Sequence, residues 1–132
     1  MKGSRVAKVL IEFFRQRKSW SEIEREVIDK EMSDLSNSEK IRLLLSCFLE
    51  QCGKAFSHLM DGFERYLPLL KKFATDSDSK LEIIDAANHY WSANGDQNLL
   101  IFIDRGMSVR LLDNISIVKW VFSKPQLNRF TR

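Results

Sequence analysis

Proline and glycine are scarce here, at two and five of 132 residues. A β-sandwich or small barrel punctuates its strands with turn residues every 8–12 residues or so, roughly twice what this chain could supply. The scarcity points to helices. Cysteine is scarcer than a disulfide framework requires. Cys47 and Cys52 lie five apart in one apolar pattern, a spacing that suits neither a C-x-x-C redox motif nor a paired metal knuckle. They read as two buried, reduced thiols. The two histidines, His58 and His89, form no H-x-x-x-H pair, and no two glycines stand close enough to build a phosphate-cradling loop. Ser57-His58 lacks the glycines of a nucleophile elbow. Asp76 and Asp78 lack the glycine and terminal glutamate of a calcium loop, so they read as helix caps. No apolar run approaches the roughly 18 residues that cross a bilayer. The start, MKGSRVAKVLIEFFRQRK, is broken by Lys8 and Glu12 and reads as an amphipathic helix rather than a secretory signal. These absences leave no enzyme, no metal, no cofactor and no membrane partner to expect.

Charge is present but unevenly spread. Residues 1–18 carry six Lys/Arg against one Glu, and residues 105–132 carry six against one Asp. The stretch between holds nine basic against sixteen acidic residues, leaving a net +3 overall. Such blocks either mark surfaces for acidic partners, RNA included, or are simply solvated helix faces. The basic end supplies the candidate partner or RNA surface: Arg105, Arg110, Lys119, Trp120 and Lys124. Trp120 sits off the sharpest part of its apolar stripe. It is either an exposed aromatic in a basic setting, suited to base stacking, or a tryptophan at the edge of the core.

Apolar periodicity resolves the chain into seven amphipathic helices. Val6, Val9, Leu10, Phe13 and Phe14 define the first. Two S-x-x-E capping boxes, Ser19–Glu22 and Ser36–Glu39, open the second and third. The second helix buries Trp20, Ile23, Val27 and Ile28, and runs to about Lys30. The third carries a wide stripe from Ile41 to Cys52 and breaks at Gly53. The fourth aligns Phe56, Leu59, Met60, Phe63, Leu67 and Leu70, with a kink or a division expected at Pro68. The fifth buries Ile83, Ile84, Ala87 and Trp91 and stops at Gly95. The sixth, capped by Asp96, buries Leu99, Leu100, Phe102 and Ile103. The seventh, capped by Asp113 with a Leu112–Ile117 staple, presents Ile117, Val118, Val121 and Phe122. The Ile/Val-rich runs NLLIFID and ISIVKWVF could instead be strands, but their flanking caps favour helix. Odd-numbered helices recur every 33–41 residues or so, near the period of HEAT-type repeats. The expected fold is all-α: antiparallel helical hairpins stacked as a HEAT-like solenoid, with residues 1–132 as one domain.

Several short pieces then occur in a telling order: KAFSH (54–58), SDSKL (77–81), Tyr90-Trp91, DRGM (104–107), WVFS (120–123) and RFTR (129–132). No piece is diagnostic alone. Their collinearity over about residues 38–132, and more weakly over 1–31, resembles the C-terminal part of the large subunit of nuclear cap-binding complexes. That family is built from tandem helical domains of the initiation-factor-4-gamma middle-domain type. The resemblance implies a non-enzymatic nuclear scaffold, able to shuttle to the cytoplasm, that orders a small subunit with an RNA-recognition motif. That subunit reads the 7-methylguanosine cap, so capped mRNA is reached indirectly, and export, splicing or transcription factors dock elsewhere. Two departures stand out. The segment 29–38 is shorter here than is usual in the family, and the family continues into further helices beyond FTR. The chain is therefore expected to be a C-terminally truncated fragment whose last helices leave apolar surface exposed. Two alternatives remain open: an array binding RNA directly through its basic ends, or a middle domain of translation initiation or mRNA decay.

Overall fold

The computed structural model describes residues 2–94 and 98–123. Every regular element among them is helical. Helix α1 (Lys2–Arg15) buries Val6, Leu10 and Phe14, three positions one helical turn apart. Ser19 then caps α2 (Trp20–Ile23), accepting a hydrogen bond from the Glu22 N–H at 3.2 Å. The chain does not continue as an α-helix to Lys30. It widens into a π-helical turn over Glu24–Ile28, where the Asp29 N–H reaches back five residues to the Glu24 carbonyl at 2.8 Å. The wider winding coincides with Ile23, Val27 and Ile28 all being buried, while Trp20 is half-buried.

The remaining hairpins follow the sequence pattern closely. Helix α3 (Asn37–Cys52) opens with a complete capping box: the Glu39 N–H bonds Ser36 Oγ, and the Ser36 N–H bonds the Glu39 carboxylate. Gly53 ends it, and a Cβ there would come within 2.7 Å of the Leu49 carbonyl oxygen. Helix α4 (Phe56–Phe73) runs unbroken through Pro68. Proline cannot donate to the turn behind it, but the buried Tyr66, Leu69 and Leu70 on either side hold both halves to the core as one element. Helix α5 (Ser77–Asn94) is opened by Asp76, which accepts the Ser79 N–H at 2.8 Å. Helices α6 (Leu99–Ser108) and α7 (Asn114–Val121) replace the two possible strands. The stop at Gly95 and the cap at Asp96 lie outside the described residues.

Packing sorts these helices into two layers. In one, α1 packs on α3, α3 on α5 and α5 on α7. These odd-numbered helices begin at Lys2, Asn37, Ser77 and Asn114, which is the repeat period expected from the sequence. The other layer holds α2 against α4, with α6 joined to α4 by Phe63 and Phe102, whose ring centroids are 5.2 Å apart. Aromatic rings tie the layers together. Phe48 on α3 meets Phe14, Phe63 and Tyr66 edge-on, and Trp91 on α5 meets Phe102. Gly62 permits the close approach of α4 to α3, since a Cβ there would lie 3.0 Å from both Cys52 and Phe48.

Four expected core positions are corrected. Phe56 and Leu100 are 58% and 76% exposed. On α7, Val118 and Phe122 face solvent, and the buried pair is Ser116 and Trp120. In each case the helix turns a different arc of its apolar surface inward.

Candidate interaction surfaces

The candidate surface read from the sequence divides once folded. Trp120 leaves it: the side chain is 2% exposed, and its Nε1–H donates to Asp85 Oδ1 at 3.2 Å. The edge-of-core reading is therefore the one the fold adopts. Lys119 is exposed but engaged, donating to Ser77 Oγ at 3.0 Å and lying 3.6 Å from Asp78 at the start of α5. Arg105 on α6 and Arg110 on the following turn are exposed, and among the described residues neither carries an ion pair. Lys124 lies outside the described residues. The sequence-derived group thus reduces to Arg105 and Arg110 as open cations, with Lys119 partly committed.

Sequence reasoning missed the polar spine of the odd-numbered layer. Arg42 on α3 donates to Glu82 and to Asp85 on α5, each at 2.7 Å, and the other Asp85 oxygen receives the Trp120 indole from α7. One carboxylate therefore links three successive helices. Lys80 on α5 donates to Asp113, the cap of α7, at 2.9 Å. Asp113 also accepts the Ser116 N–H. The lysine and the cap bond together hold the Asp113 carboxyl down at about 2. The signal for this spine was an acidic i, i+3 pair, Glu82 and Asp85, on a helix whose other face is apolar. Only the stacking order could say that Arg42 would meet it.

Among the described residues the cysteines and histidines are not brought together. Both cysteines are free and buried, and burial pushes each thiol up to about 11. Cys47 donates weakly to the Ala7 carbonyl at 3.7 Å. His58 and His89 are exposed on different helices. Among the described residues no cluster of His, Cys, Asp or Glu is placed to hold a metal ion, and no helix is long and apolar enough to cross a membrane.

Exposed apolar surface is concentrated at one end of the stack. Ile115 and Val118 on α7 and Phe122 at its C-cap follow i, i+3, i+7 spacing, forming a stripe on the side away from Ser116 and Trp120. Leu100 and Met107 repeat that spacing on α6. Helix α1, at the opposite end, exposes no large apolar side chain among its described residues. Among the described residues the exposed apolar stripes thus lie on the last hairpin, α6 and α7, and not on α1.

Stacked α-hairpins with a continuous two-layer core define this as an α-helical repeat domain. All of residues 1–132 match the MIF4G-like family, and the chain belongs to it. Among curated proteins it is similar to nuclear cap-binding protein subunit 1 of Oryza sativa subsp. japonica, with 33% identity over 128 residues. That match covers 97% of this chain and 15% of the rice protein. The Arabidopsis thaliana protein of the same name is 32% identical over 90 residues, covering 68% of this chain and 10% of that protein. The Schizosaccharomyces pombe one is 28% identical over 118 residues, 87% of this chain and 15% of that protein. The chain thus spans about one-seventh of the relatives' length or less.

Proposed function

We propose that this chain is a non-enzymatic scaffold segment of a nuclear cap-binding complex. In this reading it binds and orders a small subunit with an RNA-recognition motif, and that subunit holds the 7-methylguanosine cap. Capped mRNA is reached through the partner, the site of action is the nucleus, and other faces of the array are free for export, splicing or transcription factors. The observation that carries the proposal is the family match along the whole chain, together with relatives named as cap-binding subunit 1 in plants and yeast. The structure supports it in kind: the aromatic side chains are mostly spent on the core, and Arg42, Lys80, Asp85 and Asp113 are spent on links between helices. By the same reasoning the chain is one unit of a longer helical array, whose next hairpin would cover the stripes on α6 and α7. Isothermal titration calorimetry of the small subunit into this chain tests the scaffold role. One-to-one binding is expected. No heat and no complex at micromolar concentrations would overturn it.

A second reading has one observation in its favour, the open cations Arg105 and Arg110. Direct RNA binding through them would fall steeply with salt, because phosphate contacts release counterions. Replacing Arg105, Arg110, Lys119 and Lys124 by Ala would then weaken binding uniformly across RNA sequences. Unchanged RNA affinity in that variant excludes the reading.

A further inference from the structure

The most unusual polar arrangement lies on the opposite side of the array from the candidate residues of the sequence. Helix α1 ends in a turn where the Lys18 N–H returns to the Phe13 carbonyl and the Arg17 N–H to the Phe14 carbonyl. This places Arg17 at φ 58, the left-handed position that such turns normally give to glycine. The buried Tyr66 of α4 fixes the turn by donating its hydroxyl to the Lys18 carbonyl at 2.8 Å. A long cationic side chain is thus presented from a rigid backbone that would accept glycine more easily.

The guanidinium of Arg17 donates to Asp61 Oδ2 at 3.1 Å, and Arg65 Nε stands 3.9 Å from the same oxygen. Two guanidinium groups, each with five N–H donors, therefore converge on one carboxylate oxygen. Among the described residues Asp61 is the one acid paired with either. Arg15 beside them is already taken up by Glu12. The arginines border a cavity of about 150 Å³ floored by Phe14, Cys52 and Tyr66. A second cavity of about 440 Å³, lined by Ser19, Trp20 and Glu64, shares Asp61 and Arg65 with it. The two form one groove between the end of α1, the start of α2 and the outer face of α4.

We propose that this groove binds an acidic peptide segment. One of its carboxylates is held by Arg17 and Arg65 in place of Asp61, and a neighbouring apolar side chain rests against Trp20. Guanidinium forks match carboxylate geometry in two parallel bonds, and the first cavity is the size of one such group with its adjoining chain. Nucleic acid is the poorer occupant. Asp61 and Glu64 line the groove with the arginines and would repel successive phosphates, so the site accommodates one anion and not a run of them. The proposal stands apart from the cap-binding reading, since it names a surface without assigning it to the small subunit.

The test uses fluorescence anisotropy of a fluorescein-labelled peptide carrying a single glutamate beside a leucine in an otherwise glycine–serine sequence, against the full chain and two variants. Arg17→Gly keeps its fold, because glycine suits the left-handed turn, and it is expected to bind the peptide at least ten-fold more weakly with no fall in thermal midpoint. Asp61→Asn removes the competing carboxylate and is expected to bind several-fold more tightly. A purely structural ion pair predicts the reverse for Asp61→Asn: lower stability and no gain in affinity. The proposal is overturned by absent peptide binding, by an unaffected Arg17→Gly variant, or by displacement of the peptide by a labelled oligouridylate of equal length.

Discussion

Arg17 and Arg110 occupy matching places at the ends of α1 and α6. After α6 the Leu111 N–H returns to the Gly106 carbonyl and the Arg110 N–H to the Met107 carbonyl, the same pair of bonds that ends α1, with Arg110 at φ 65. An L-residue in this backbone region is strained by about 1 kcal/mol, and glycine is not. The two positions differ in what the side chain does, since Arg17 reaches Asp61 while Arg110 is open to solvent. Arg110→Gly should therefore raise stability by roughly 0.5–1 kcal/mol, read from the urea midpoint. If Arg110 serves RNA, the same variant binds RNA less well while being more stable, a combination that misfolding cannot mimic. Neither turn was legible in the sequence, because arginine is not a residue that announces a left-handed stop. Gly106 falls four residues before Arg110, and its role is contact: a Cβ there would press to 2.7 Å from Leu112.

At the level of single helices, beginnings were legible and buried faces only partly so. The caps at Ser19, Ser36, Asp76 and Asp113 are local, each satisfied within three residues by the turn it opens. Which arc of an amphipathic helix is buried depends on neighbours that a single pattern does not reveal. That is why Phe56, Leu100, Val118 and Phe122 came out exposed and Trp120 came out buried. The caps also set the acid response. The Ser36 N–H lowers the Glu39 carboxyl and the Ser79 N–H lowers that of Asp76, while Lys80 and the Ser116 N–H take Asp113 to about 2. Each group binds its proton more weakly folded than unfolded. Their stabilisation is thus complete above the ordinary carboxyl range and is lost as pH falls through the folded values. For Asp113 the window runs from its ordinary 3.8 down to about 2. Asp113→Asn should be less stable than the parent at pH 7, and the gap should close as pH falls through that window. Urea unfolding at a series of pH values checks this.

For the molecule as a whole, the period of the hairpins and the all-α class could be read directly, because stacking repeats a local pattern. The Arg42–Asp85–Trp120 spine could not, because it joins residues 35 and 43 positions apart across three helices. The exposed apolar stripes on α6 and α7 should make the chain associate through that hairpin. The chain should sediment with a concentration-dependent coefficient, and Phe122→Glu, placing a charge at the end of the exposed stripe, should shift it towards monomer. Unaltered association in that variant would place the contact elsewhere. The central claim is that this chain organises a cap reader and does not itself read the cap. The direct measurement is a titration of a fluorescent 7-methylguanosine cap analogue with the chain alone and with the chain plus the small RNA-recognition-motif subunit. The account predicts no saturable signal from the chain alone and tight binding once the small subunit is present. Tight binding of the cap analogue by the chain on its own would contradict it.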